Sequence, residues 1–289
     1  DYQKGIDTAR KALALDANNV DALNAMGAAL RQQRRWLEAE KYFDRALAID
    51  PNSAELLEDY AEFLSLVGRT EEALVVTSRG MEIDSRLVPL VFAHMDSLAA
   101  NGYHDAALRL AQELIDLDIP VNRIFLETYM LPILLNPALK PGPINFATPS
   151  SYSDGTPALV IDMNKAVARV IDGSQDTETI EALKSYYPMM DIQSGKATGL
   201  EASYYDALPA RSALVLLKEL DFVIEHDIWW AKQIDRFPHE FNWTPFFAEL
   251  RAHPRFGEYL ETAQIVAYWD ATEWPDWCER SSDGRIRCR

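Results

Sequence analysis

Chemistry in this chain would have to start from five histidines, two cysteines and a large stock of carboxylates. The histidines are His94, His104, His226, His239 and His253, and none sits at a spacing that metal ligation uses. His226-Asp227 and His239-Glu240 follow one another in an aromatic region. An imidazole beside an acid can act as a base or a ligand, yet such pairs are more often surface groups or satisfied structural groups. No glycine-rich phosphate loop, nucleophile elbow or paired-cysteine motif occurs. The carboxylates are dispersed along amphipathic stretches, as solvated faces require. The chain is therefore expected to be non-enzymatic, with no cofactor and no metal.

The cysteines carry a different chemistry. Cys278 and Cys288 flank the polar loop ERSSDGRIR, whose Asp283-Gly284 is a good turn dipeptide. The favoured reading is a disulfide that pins the tail, which implies an oxidising compartment. The alternative is two free thiols on a frayed terminus.

The carboxylates with the most pointed spacing are Glu55, Glu58 and Glu62, at steps of three and four and so on one helix face. The elements that must position them follow from a fixed repeat period. Ala39, Leu47, Ile49 and Asp50 recur as Ala73, Met81, Ile83 and Asp84. Asp50 steps back to Asp16, and Gly68 steps forward to Gly102. Such a period marks a helical solenoid. Gly27, Ala39, Phe43, Ala46 and Pro51 place small residues where helices approach, an aromatic between repeats and a proline at the stop.

That array resembles the tetratricopeptide repeat family. The fold expected is all-α: a right-handed helical solenoid with degenerate C-terminal helical repeats and an aromatic capping segment. Residues 1–17 read as a half repeat, 20–53, 54–87 and 88–121 as repeats, and 122–135 as a degenerate first helix holding Phe125 and Tyr129 before Pro132. Residues 136–157 form a Pro/Ser/Gly-rich connection, either functional or a plain insertion. Degenerate helix pairs are expected over 158–236, including Ala158–Ile171, a helix capped by Asp176 or Thr177, and one that Pro209 starts and that runs to Leu220. An aromatic cap fills 237–289. Six of the chain's tryptophans fall late, from Trp229 to Trp277. A cap over the solenoid's open end is the favoured reading, an aromatic ligand box the alternative.

By repeat register the concave groove is lined by Asp21, Asn24, Ala28 and Arg31, then Glu55, Glu58, Glu62 and Ser65, then Phe92, Asp96 and Ala99. Its acidity disfavours a terminal carboxylate and favours a protein or peptide segment with basic or apolar side chains. Equally, it is the solvated face of a very acidic protein. The formal charge of −17 argues against nucleic acid and anionic membrane surfaces as partners. No apolar run is long enough to span a bilayer, so no membrane insertion is expected of these residues.

The tail, HPRFGEYLETAQIVAYWDATEWPDWCE, is similar to the C-terminal end of repeat domains in bacterial membrane-anchored regulators. These include winged-helix regulators of the CadC type and repeat-bearing adenylate cyclases. The matching positions are Pro254, Arg255, Phe256, Leu260, Tyr268, Trp269, Trp274, Pro275, Asp276 and Cys278, with Glu273 where glycine is expected. The resemblance implies a periplasmic sensory or scaffold domain. Because the chain opens on Asp1 within a half-finished repeat, it is expected to be part of a longer polypeptide. A cyclase accessory domain or a free envelope scaffold are the alternatives.

Overall fold

The computed structural model describes residues 2–116, 158–186, 190–191, 196–197, 204–232 and 240–289. The expected elements over 122–135 and 136–157 lie outside these residues. Two compact units emerge, one of residues 1–110 and 227–289, the other of 111–226.

Seven helices open the described residues: α1 (Tyr2–Leu15), α2 (Val20–Gln32), α3 (Trp36–Ile49), α4 (Ala54–Leu66), α5 (Thr70–Ile83) and α6 (Val88–Ala100) in the first unit, then α7 (His104–Asp116), which begins there. The sequence period is visible as repeated backbone chemistry. Asp16, Asp50 and Asp84 each accept, through Oδ1, the backbone N–H two positions on, at 2.9, 3.0 and 2.9 Å. These side chains shape the turn between repeats. The next helix is then capped by Asn19 (Oδ1 to Ala22 N, 2.8 Å) and Ser53 (Oγ to Leu56 N, 3.3 Å). At the third turn Leu87 offers no side-chain cap, and a proline in the first turn of α6 takes over the start.

The turn inside each repeat is equally uniform. Arg34, Gly68 and Gly102 all have positive φ, at 57, 82 and 80°. In each case the next residue's N–H reaches back to the carbonyl of Leu30, Leu64 or Leu98. This is the Schellman closure of a helix C-terminus. Arg34 is the exception in type, because a side chain in the left-handed region costs about 1–2 kcal/mol. Its guanidinium is buried and donates to the Ala231 carbonyl, which offsets that strain.

Between helices, Phe43 is fully buried against Tyr60 (5.7 Å between centroids) and Phe63 (5.7 Å). Gly27 lets α2 and α3 approach this ring: a Cβ there would lie 2.7 Å from the Phe43 ring.

The aromatic segment packs on the repeats, along the row of turns inside them. It comprises short turns at Glu240–Trp243 and Pro245–Phe247, then α12 (Ala248–Arg251), α13 (Phe256–Thr262), α14 (Ile265–Ala271) and a hairpin, β1 (Cys278–Arg280) with β2 (Ile286–Cys288). Trp36 Nε1 donates to the Ala263 carbonyl at 3.0 Å, and Trp269 Nε1 to the Val67 carbonyl at 2.8 Å. Trp243 lies over Gly68, 3.1 Å from where a Cβ would be. Buried Arg251 ties the segment together, donating to the carbonyls of Asn242 (2.6 Å), Thr244 (2.7 Å) and Arg289 (2.9 Å). Cys278 and Cys288 are disulfide-bonded directly across the antiparallel hairpin, whose turn uses the positive φ of Gly284.

In the second unit, α8 (Ala158–Ile171) and α9 (Thr177–Tyr186) are joined by the same closure, with Gly173 at positive φ and Ser174 N bonded to Arg169 O. Asp176 caps α9, accepting from Thr179 N at 2.8 Å. A short strand pairing, Met190–Asp191 with Lys196–Ala197, departs from the all-helical expectation. The helix expected to start at Pro209 instead begins earlier and ends sooner: α10 spans Tyr204–Leu216. Lys218 turns left-handed at φ 65°, Glu219 N closes on Leu214 O, and α11 (Leu220–Ala231) follows. The leucine run conceals a turn of the kind that glycine usually marks.

Gly27→Ala is expected to destabilise the chain by about 1–2 kcal/mol, since overpacking against an immobile ring outweighs the helix propensity gained. Gly5→Ala, with nothing within 4 Å, should be neutral or stabilising by about 0.5 kcal/mol. Urea unfolding of both variants checks the opposed signs; a loss of equal size at both positions would contradict the packing account.

Candidate peptide-binding surfaces

Helices α2, α4 and α6 pack in succession and carry the face expected to line the groove. Across α2 and α4 the structure draws four of the expected residues into one network. Arg31, only 5% exposed, donates to the Asp59 carbonyl at 2.8 Å and pairs with Glu62 at 2.7 Å and Asp59 at 3.4 Å. Asn24 Nδ2 donates to Asp59 Oδ2 at 2.8 Å. Glu58 lies beside them, its carboxyl pushed up to about 8 by burial and then by Asp59 and Glu62, against the pull of Arg31. Burial also raises Glu62, with Arg31 opposing. Asp59, absent from the expected set, is the hub. It falls between the helix positions that the repeat register assigns to the groove.

The other expected residues are distributed differently. Asp21 and Glu55 are exposed, Ala28, Ser65 and Asp96 half-buried, and Phe92 and Ala99 belong to the core. The face therefore carries less free charge near neutral pH than its composition suggests. Glu62 is bound to Arg31 and Glu58 holds its proton into the neutral range.

A second concavity lies in the tryptophan-rich tail, where the sequence offered an aromatic ligand box only as the alternative to a cap. A cleft of about 850 Å³ opens between the turns at Gly68–Glu72 and Ala100–Gly102 and the tail segment Thr272–Trp277. One side is built on Arg69, which donates to Tyr268 Oη at 2.7 Å and to Glu72 at 2.6 Å and also pairs with Glu40. Burial works against its charge, but the bonds to Glu72, Tyr268 and Glu40 hold the guanidinium pKa above its ordinary value. The other side is built on Trp274 and Trp277, both half-buried and packed against Trp269 (5.2 Å) and Trp243 (5.6 Å). Arg289 fixes that wall by donating to the Asp276 carbonyl at 2.8 Å. The Trp-Pro-Asp run was legible in the sequence; the turns it faces, far back in the repeat array, were not.

The histidines do not assemble a site among the described residues, where no group of three or more His, Cys, Asp or Glu could hold a metal ion. His94 Nδ1 bonds Thr77 Oγ1 at 2.9 Å, and His253 Nδ1 accepts from Arg255 N at 3.2 Å. His226 and Asp227 are buried, and His239 lies outside the described residues.

A raised carboxyl pKa means that the folded chain holds a proton the unfolded chain has lost. Glu58 should therefore erode stability as pH climbs from its unfolded value near 4.5 to about 8. Glu58→Gln is expected to stabilise the chain by about 1–3 kcal/mol at pH 9 and hardly at all at pH 5. Thermal or urea unfolding at the two pH values checks this; an equal effect at both would contradict it.

Sequence comparisons agree with this architecture. Two profiles described as tetratricopeptide repeat match residues 20–53 and 42–75. A search of curated proteins finds no significant match. Among solved structures, one match is a complex described as Naa15/Naa10 bound to HypK-THB, at 13% identity and a TM-score of 0.38. That alignment covers 95% of this chain and 40% of the other, so the chain spans less than half the length of the protein it matches. Residues 20–75 carry tetratricopeptide repeats, and the described residues are mostly helical, with helices packed in sequential pairs as a helical solenoid of such repeats would have them.

Proposed function

We propose that the chain is a non-catalytic protein-binding scaffold whose α2–α4–α6 face receives an extended polypeptide segment with basic or apolar side chains. Tetratricopeptide repeats generally serve as protein-binding scaffolds, and no catalytic family matches the chain. The observation that carries the ligand class is the network around Asp59 and Arg31. It ties two helices together through Arg31, Asp59 and Glu62, leaving Asp21 and Glu55 exposed as acceptors at the surface. A pre-organised face of this sort loses little entropy on binding.

In this proposal the domain works outside the cytoplasmic membrane, as the sensory or scaffold part of a larger membrane-anchored bacterial regulator. The Cys278–Cys288 disulfide supports an oxidising compartment. The likeness of the tail to such regulators supports the context. No described helix is long and apolar enough to cross a membrane.

Replacing Glu55, Glu58 and Glu62 together with glutamine should weaken capture of a basic peptide library by about three- to tenfold. Capture at the unchanged level would remove the groove from the account. Thiol trapping in intact cells separately checks the compartment: Cys278 and Cys288 should resist alkylation until reductant is added, and ready labelling would count against it.

A further inference from the structure

The α2–α4–α6 face is not the only place where a polypeptide could be held. Among the described residues, the cleft beside the Trp274–Trp277 wall combines features that the concave face lacks. Its volume, about 850 Å³, falls in the range of ligand sites rather than surface dimples. Aromatic surface and acid meet in it, whereas the polar groups of the concave face largely satisfy one another.

The balance of charge in the cleft is what selects an occupant. Glu40, Glu71, Glu72, Glu273 and Asp276 line it, against two arginines. Arg69 is consumed by Glu40, Glu72 and the Tyr268 hydroxyl. Arg289 is turned onto the Asp276 backbone carbonyl rather than onto a carboxylate. The side chains of Glu71, Glu273 and Asp276 are exposed and enter no ion pair among the described residues. Three carboxylates without an ion pair among the described residues thus line a cavity that two tryptophans wall.

The same rings show which chemistry suits them. Trp274 already carries the Arg280 guanidinium on one face at 5.5 Å, and Trp277 carries Arg251 at 5.5 Å. Indole is the best of the protein rings for holding a cation. The walls are rigid as well. Trp269 is bonded to Val67, Trp243 lies on Gly68, and the hairpin after Trp277 is closed by the disulfide. Binding therefore needs no rearrangement of the site, which favours affinity.

We propose that this cleft is a second recognition site, which admits an arginine or lysine side chain from an extended segment of a basic partner protein. The guanidinium or ammonium group lies among Glu71, Glu273 and Asp276, and its aliphatic stem lies along Trp274 and Pro275. A second copy of this chain is disfavoured as occupant, because its own charge of −17 is repelled by an acidic cleft. The proposal rests on the protein-binding reading of the fold and adds to it a separate site with its own residues.

Calorimetric titration with a short peptide of alternating Arg and Gly tests it, with the Glu/Gly counterpart as control. The Arg/Gly peptide should bind and the Glu/Gly peptide should not. The double variant Glu71→Gln, Glu273→Gln removes exposed, unpaired groups and should leave the melting temperature unchanged. It should weaken binding about fivefold at low salt, and the loss should shrink as salt rises. Trp274→Leu should weaken binding as well, and tryptophan emission should shift on titration of the unaltered chain. If only the Glu55/Glu58/Glu62 variant weakens binding, the cleft proposal is overturned and the concave-face reading stands. If both carboxylate sets are indifferent, both readings fall. A concentration-dependent dimer that Trp274→Leu abolishes, with no peptide effect, would overturn the proposal in favour of a second copy.

Discussion

Helix ends leave backbone carbonyls without partners, and the first unit is built around closing them. Uniform left-handed turns at Arg34, Gly68 and Gly102 satisfy most of these groups locally. Three more are met from far away in the chain. Trp269 reaches the Val67 carbonyl across 202 positions, Trp36 reaches Ala263 across 227, and Arg34 reaches Ala231 across 197. A buried carbonyl deprived of its donor costs about 1–3 kcal/mol, so these few bonds weigh heavily in a marginally stable fold. At Trp36 and Trp269 they also show what an indole offers that a smaller apolar residue does not. An indole supplies a large apolar surface and one donor at a fixed distance from its backbone.

Both candidate surfaces depend on that clasp. The Arg69–Glu40–Tyr268 cluster spans two repeats and the C-terminal segment, and it forms one side of the cleft. Phe63 carries the connection into the core, meeting Tyr268 edge-on at 5.8 Å and Phe43 at 5.7 Å. The same helix, α4, supplies Asp59 to the concave face, where it is matched to Arg31 before any partner arrives. Acidic composition alone is thus a poor guide to charge available for binding. Burial and pairing decide which carboxylates are free, and those the structure leaves exposed on these two surfaces lie at Asp21, at Glu55 and around the cleft.

Much of the fold was legible because the repeat period reflects local chemistry. Asp50 and its equivalents bond to N–H groups two positions away, and Gly68 and Gly102 occupy backbone positions that favour glycine. The disulfide was legible for the same reason, since a turn separates its two cysteines. Arg34 and Lys218 were not, because nothing in an arginine or lysine marks a left-handed backbone; only their surroundings in the fold fix it. The groove was readable as a face but not as a charge state, because Asp59 and Arg31 interact across helices. The cleft was invisible to any local argument. Its tryptophans could be recognised as packing residues, but which turns they cover depends on contacts between opposite ends of the chain.

Residues 227–289 and the repeat array form one cooperative unit held at the turns, and native-state hydrogen exchange across a denaturant series tests this central claim most directly. The amides of Gly68, Arg69, Tyr268 and Trp269 should lose protection together, with one free energy of opening and one denaturant dependence. Loss of protection in the C-terminal segment at low denaturant, while the turn amides stay protected, would contradict the account.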